Sequence, residues 1–292
     1  MNGASSIFWA CVAPISKQMV IIQQQFEQAM GATITAFNNG KLEAAALMCR
    51  GILGGRPNDP AVHQLMAVIC LQQHKPVDAL HHIGRSLEGR PDHVLSLVIA
   101  GRIAWALRDL DAALVLLKKA TIFAPQEREP LYVMGSILVE QGKLALAVEV
   151  FLQLIQLDPS HAQAWCRLGA ALQQAGLQDR AEVALERAIA LDRSQVDAWF
   201  HMGLLRQDKA DFAGAAHALR VALQLKPDFA EALVNLGIVL QEDARVDEAL
   251  AAYQAAYQLR PAVFGRIANA LASRPHGRIW VDLSQLRQLL AA

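Results

Sequence analysis

Histidine and cysteine are the residues of this 292-residue chain whose types could bind a metal ion or attack a substrate. One cluster is notable, because His81 and His82 are adjacent and follow His74 and Asp78 by a few positions. Imidazoles and carboxylates at short spacing are ligands that zinc takes in proteins. However, His74 falls at a turn between two predicted helices, and Asp78 follows the start of the second helix. We therefore expect most of this cluster to be solvated, and we predict no metal site.

Nucleophilic and redox chemistry have no better support in the sequence. Three of the four cysteines fall in helical patterns, where a small buried thiol is ordinary, and none forms a Cys-x-x-Cys pair. The cysteines are Cys11, Cys49, Cys70 and Cys166. His201 and His217 are expected on helix surfaces. The sequence contains no phosphate-binding glycine loop, His-Glu-x-x-His or Gly-x-Ser-x-Gly motif. We predict that the protein is not an enzyme and has no catalytic residue, cofactor or small-molecule substrate.

Charge and hydropathy exclude further classes of partner. The chain carries 27 basic and 27 acidic residues, so it lacks the basic excess typical of nucleic-acid binding. A hydrophobic content of 54% is ample for a packed core. The apolar run at 7–15 is too short to span a bilayer, and no positive residue precedes it as in a secretory signal. We predict a bacterial, cytoplasmic protein without nucleic-acid partner or membrane span. Translation from Met19 would omit the run, and export by it is the alternative.

A period of 34 residues organises the rest of the chain. Seven positions, which we call marks, follow one another at this spacing from residue 57 to residue 261. Arg193 occupies one mark, and proline occupies the other six: Pro57, Pro91, Pro125, Pro159, Pro227 and Pro261. Alanine lies twelve residues before every mark: Ala45, Ala79, Ala113, Ala147, Ala181, Ala215 and Ala249. Glycine lies 24 residues before five of them: Gly101, Gly135, Gly169, Gly203 and Gly237. A fixed period of this length indicates one helix–turn–helix unit stacked many times.

The small residues of each period predict close helix packing. At the glycine position a larger side chain would push the two helices of one unit apart, and we expect the alanine position to serve in the same way between neighbouring units. Gly142 is expected to end one helix, because glycine readily adopts positive φ. Pro159 is expected to end the next, because proline cannot continue a helix. Trp165 and Trp199 are predicted to be anchors of the core.

These residues resemble the tetratricopeptide repeat (TPR) pattern. The match is clear in Trp165-x2-Leu168-Gly169-x2-Leu172 followed by Ala181, Leu185 and Ala188. It recurs from Val196 to Pro227, and the resemblance as a whole covers about 26–261. It implies an all-α, right-handed superhelical solenoid of seven stacked helix–turn–helix units with a C-terminal capping helix.

The same 34-residue period divides the chain into segments. A leader at 1–25, flexible or the product of a mis-assigned start, precedes the units. The units are 26–59, 60–93, 94–127, 128–161, 162–195, 196–229 and 230–261. A single capping helix and an amphipathic tail occupy 262–292, with a turn at 275–277 and a helix cap at Asp282. We favour a tail that folds back on the stack, and partner binding by the tail is the alternative.

The resemblance implies that the first helix of each unit lines a concave groove, mainly through its second, fifth, ninth, twelfth and thirteenth positions. Apolar residues are frequent there. The candidate groove residues are Val98, Arg102, Trp105, Tyr132, Val139, Cys166, Phe200, Leu204, Val234, Asn235 and Ile238. An acidic rim is predicted from Glu129, Glu140, Asp197, Asp208, Glu231 and Glu242. Some groove residues could instead pack within the groove or be covered by the C-terminal tail.

A protein partner follows from this groove. Acids at the second position are favourable near a helix N-terminus, but acids at the thirteenth position lie near a C-terminus, where they are unfavourable. We therefore predict a non-catalytic scaffold or adaptor that binds an apolar segment bearing Lys or Arg. One alternative is a regulatory or targeting subunit of a separate enzyme, such as a glycosyltransferase or polysaccharide-export assembly. Another is a periplasmic assembly factor, which requires a genuine N-terminal signal.

Overall fold

The computed structural model describes residues 4–273 and 283–291, and all regular structure within them is helical. The chain divides into two compact units, Met1–Ile137 and Leu138–Ala292, here called the N-terminal and C-terminal units. The division falls within one helix, α7 (Arg128–Glu140). Among the described helices, none is both long enough and apolar enough to cross a membrane.

The N-terminal unit is built from helix pairs. Its helices before α7 are α1 (Ala4–Asn38), α2 (Leu42–Gly55), α3 (Pro60–Gln72), α4 (Pro76–Gly89), α5 (Val94–Ala106) and α6 (Leu110–Phe123). Each odd-numbered helix packs against the next even-numbered one, and α3 also contacts α5. Helix α1 includes most of the segment predicted as a leader. Good helix formers such as Lys17 and Gln23–Gln25 continue the helical pattern upstream of Phe26.

The C-terminal unit repeats this arrangement. Its helices up to the last predicted repeat are α8 (Leu144–Leu157), α9 (Ala162–Gln174), α10 (Gln178–Leu191), α11 (Val196–Asp208), α12 (Phe212–Leu225), α13 (Ala230–Glu242) and α14 (Val246–Leu259). Helix α11 contacts both α9 and α13, so these three helices form one layer, which we call the first-helix layer. The count of seven repeats stays a prediction.

Close approach of two helices explains the glycine position. A Cβ atom added to Gly169 would lie 2.6 Å from Cγ of Leu185, a side chain of the paired helix. It would also lie 3.3 Å from the carbonyl oxygen of Ala181. The alanine position therefore lies against the glycine of its own helix pair. The packing of the alanine position between neighbouring units stays a prediction.

Trp165 and Trp199 are half-buried rather than core residues. The indole Nε1–H of Trp165 donates to the carbonyl oxygen of Pro159, and that of Trp199 donates to Arg193, both at 3.0 Å. Each bond joins the first helix of a pair to the loop that precedes it. The tryptophans reach the surface because their polar N–H group is satisfied there.

The C-terminal unit ends in two short helices, as expected from the predicted closing helix and the apolar tail that follows it. Beyond a short 3-10 turn at Pro261–Val263, α15 (Phe264–Ser273) packs on α13, and α16 (Leu283–Ala291) packs on α14. Leu286 and Leu290 of α16 are completely buried. The side-chain amide of Gln254 also donates to the carbonyl oxygen of Leu289 at 2.9 Å. The described part of the tail therefore folds back on the chain. The predicted turn at 275–277 and the predicted cap Asp282 lie outside the described residues.

Candidate functional site

An aromatic pair marks the first-helix layer of the C-terminal unit. Phe200 of α11 is half-buried, and its ring centroid lies 4.8 Å from that of Phe229, which ends the loop before α13. Both rings pack against the apolar core of this unit. Leu204, one turn further along α11, is also half-buried. These side chains have an apolar base held by the core and an accessible part that can contact another molecule.

A cleft lies beside Phe229, at the N-terminal ends of α9 and α11. Its volume is about 440 Å³. We call it the Phe229 cleft and define it by its lining residues: Ala162, Gln163, Asp192, Gln195, Val196, Asp197, Lys226 and Phe229. The site therefore draws on the starts of two first helices and on the loops before α11 and α13. It brings the predicted rim residue Asp197 close to the aromatic pair.

The charges of the Phe229 cleft are held by local hydrogen bonds. Oδ1 of Asp192 accepts from the backbone N–H and the hydroxyl of Ser194, at 2.9 and 2.6 Å. These two bonds lower the pKa of Asp192. The Lys226 ammonium lies 5.3 Å from the centroid of the Phe229 ring. Within the described residues, Oε1 of Gln195 is buried without a hydrogen-bond partner.

Five predicted groove residues are buried, which corrects their assignment to the groove surface. Val234 and Ile238 belong to a core cluster that also includes residues of α15, which packs on α13. Asn235 is 8% exposed, and its amide donates to the carbonyl oxygen of Glu231 in its own helix at 2.8 Å. Cys166 is buried, and burial raises the pKa of its thiol to about 12.

Val98 is the last of the five buried groove candidates, and it lies in the N-terminal unit. Trp105 and Tyr132 are half-buried and pack against its cluster. Arg102 is exposed, and its guanidinium lies 3.5 Å from the carboxylate of Glu129. This cation and this predicted rim acid therefore partner each other within the chain. In the C-terminal unit, Val139 at the end of α7 is half-buried.

Most of the predicted acidic rim already has partners within the chain. Glu231 forms an ion pair with Arg260. Asp208 accepts a hydrogen bond of 2.8 Å from the amide of Gln173, one helix pair earlier. This bond provides a reason for an acid at the thirteenth position that does not involve a ligand. Glu140 and Glu242 also interact with other residues of the chain.

His201 is half-buried, which corrects its assignment to a helix surface. It follows Phe200 on α11, and the two ring centroids are 5.6 Å apart. The pKa of His201 is lowered to about 4, mainly by burial and to a smaller extent by Arg167, whereas Asp197 acts in the opposite direction. The imidazole is therefore neutral at neutral pH.

His63 on α3 is buried and was not among the residues predicted from the sequence. Its Nε2 lies 2.9 Å from the carbonyl oxygen of Pro57, and its Nδ1 lies 3.0 Å from Nδ1 of His82 on α4. His63 occupies the fourth position of its predicted repeat, as Trp165 and Trp199 do in theirs. In all three repeats the side chain at this position bonds to the carbonyl oxygen six residues earlier. The shared fourth position is the sequence signal that could have identified His63. The described residues contain no group of three or more His, Cys, Asp or Glu able to hold a metal ion.

Models of known protein families match most of the repeat region. Models described as tetratricopeptide repeat match residues 67–128, 162–195 and 200–263. A further model described as TPR repeat matches residues 135–176. No curated protein sequence matches the chain.

Solved structures share the fold. The chain is similar to a tetratricopeptide repeat protein from Parabacteroides merdae, with a TM-score of 0.69, 15% identity, and coverage of 85% of this chain and 99% of that one. It is similar to PilF from Pseudomonas aeruginosa, with a TM-score of 0.62, 20% identity, and coverage of 71% and 94%. It is also similar to a crystal structure of MamA protein, with a TM-score of 0.51, 25% identity, and coverage of 58% of this chain and 93% of that one. The chain therefore belongs to the tetratricopeptide repeat family.

Proposed function

We propose that this TPR protein is a scaffold that binds a segment of another protein on the first-helix layer of its C-terminal unit. TPR repeats are in general non-catalytic modules for protein interaction, which supports the scaffold role. The observation that carries the choice of surface is the aromatic pair. Phe200 and Phe229 are anchored in the core but keep accessible surface beside a cleft.

The apolar anchors would provide most of the affinity. Large aromatic side chains on a well-packed base are the residue type that dominates binding energy at interfaces. Leu204 continues the same helix face and would extend the contact by one turn. Val234 and Ile238 are buried in the core cluster, so they would support the surface without contacting the bound segment.

The charged residues favour a segment that bears Lys or Arg. Glu231 and Asp208 are held by Arg260 and Gln173, so we assign the main electrostatic role to Asp197 beside the cleft. Charges at the rim of an interface mostly affect association rate and selectivity. The rate of binding should therefore fall with rising salt more strongly than the rate of dissociation changes.

Partner capture by the intact chain tests this proposal. The protein, immobilised through a tag, is used to recover binding proteins, which are identified by mass spectrometry and remeasured as purified components. Phe200→Asp places a charge in the aromatic pair and should lower the affinity for the identified partner at least about tenfold. Val183→Asp is the matched control, because Val183 is 65% exposed on α10, outside the first-helix layer.

Equal affinity of the wild-type chain and the Phe200→Asp variant would show that the partner binds elsewhere. Circular dichroism and thermal unfolding must first show that both variants are folded. The identity of the partner also separates a general adaptor from a regulatory subunit, since recovery of one enzyme in fixed stoichiometry would favour the regulatory role.

A further inference from the structure

The Phe229 cleft has an unbalanced negative charge. Its lining contains two carboxylates, Asp192 and Asp197, and one ammonium group, that of Lys226. Hydrogen bonds from Ser194 lower the pKa of Asp192, so this carboxylate remains charged well below neutral pH. Both bonds use Oδ1, which leaves Oδ2 as an acceptor for another donor. One additional positive charge would balance the cleft.

One lining residue of the cleft, Gln195, carries a buried hydrogen-bond acceptor without a donor among the described residues. Oε1 of Gln195 is buried and accepts no hydrogen bond from the described residues. Gln195 precedes α11, but its side chain makes no capping bond to that helix. Buried polar atoms in folded proteins nearly always have a partner. Oε1 is enclosed by protein atoms, so Gln195 borders the cleft without presenting this acceptor to a ligand.

The aromatic wall of the cleft already attracts a cation. The Lys226 ammonium lies 5.3 Å from the centroid of Phe229, within the range of a cation–π interaction. Phe200 supports the other ring at 4.8 Å between centroids, so the ring of Phe229 is held in place. A guanidinium group is planar, stacks on aromatic rings and has five N–H donors, whereas an ammonium group cannot stack.

We propose that the Phe229 cleft is a subsite for an arginine side chain of the bound segment, an inference that rests on the proposed function. The guanidinium stacks on Phe229 in place of the Lys226 ammonium. Its N–H groups donate to the carboxylate of Asp197. Asp192 contributes a second negative charge at the mouth of the cleft.

Titration of the full chain with N-acetylarginine amide tests the subsite without a known partner. NMR signals of the Gln195 side-chain amide and the Phe229 backbone amide report on binding. We expect saturable shifts with a Kd of about millimolar, as for a single small fragment. N-acetylcitrulline amide has nearly the same shape but no charge, and it should cause no saturable shift.

Two variants locate the binding. Asp197→Asn should weaken binding of the arginine probe at least about fivefold, because a charge-assisted hydrogen bond is lost. Asp228→Asn is the matched control, since Asp228 is exposed next to Phe229 but does not line the cleft. Absence of saturable shifts, equal binding of the citrulline probe, or unchanged binding by Asp197→Asn would each overturn the inference.

The two proposals fail in distinguishable ways. If Phe200→Asp abolishes partner capture while the arginine probe does not bind, the proposed function stands and the arginine subsite is wrong. If the arginine probe binds the cleft while Phe200→Asp leaves capture intact, the cleft binds arginine but the proposed face is not where the partner docks.

Discussion

The imidazoles of His63 and His82 are joined by a hydrogen bond between their Nδ1 atoms, 3.0 Å apart. The direction of this bond follows from the other nitrogen of His63. Nε2 of His63 lies 2.9 Å from the carbonyl oxygen of Pro57, which can only accept, so Nε2 carries the proton. A neutral imidazole has one N–H. Nδ1 of His63 is therefore the acceptor, and His82 donates its Nδ1–H.

This pair predicts a loss of stability in acid. Burial lowers the pKa of His82, His63 and His81 lower it further, and Asp78 opposes them. The unfolded chain therefore binds a proton at higher pH than the folded chain. The contribution is complete above the ordinary pKa of 6.5 and decreases as the pH falls below it. His82→Gln keeps an N–H donor but cannot titrate. Urea unfolding at several pH values should show that the unfolding free energy of this variant depends less on pH than that of the wild-type chain. The slopes should differ by less than about 1.4 kcal/mol per pH unit.

His201 should produce a similar effect over a wider range. Its pKa is lowered to about 4, so the unfolded chain takes up a proton from pH 6.5 downward while the folded chain does so only near pH 4. His201→Gln should reduce the acid-induced loss of unfolding free energy by at most about 1.4 kcal/mol for each pH unit in this window. His217→Gln, at an exposed site on α12, is the control for both histidine variants. An equal change in the control would contradict both assignments.

Two glycine substitutions should have opposite signs. Gly169→Ala places a methyl group 2.6 Å from Leu185, which is completely buried and has little room to move. We expect a loss of about 1–3 kcal/mol from overpacking. Gly84→Ala on α4 meets no atom within 4 Å and should raise stability by about 0.5–1 kcal/mol through helix propensity. Thermal unfolding measures both, and an unchanged midpoint for Gly169→Ala would refute the close crossing.

The docked α16 predicts that the tail protects apolar surface. Leu286→Asp together with Leu290→Asp removes two completely buried side chains from the contact with α14. We expect α16 to detach and the protein to self-associate, because the surface of α14 is then exposed. Leu283→Asp is the control on the same helix, where Leu283 is 53% exposed. Light scattering that finds the double variant monomeric, with unchanged stability, would mean that α16 does not protect this surface.

Local pattern alone determined the class of fold. The 34-residue period, the helix-ending residues such as Gly142 and the small residue at Gly169 act within one helix pair. Gly142 has a φ of 72°, as expected for a residue that follows a helix. Such features depend on neighbours a few turns away, so the sequence was sufficient to predict helical TPR repeats.

Exposure was decided by tertiary structure. Phe200 and Val234 occupy the same position in successive predicted repeats, yet Phe200 keeps accessible surface and Val234 is completely buried. Val234 lies in a core cluster that also includes residues of α15, a helix beyond the last predicted repeat. His63 shows the same limit, because its partner His82 lies on another helix. Whether a side chain binds a partner or fills a core depends on what the rest of the chain packs against it, and a repeat pattern does not contain that information.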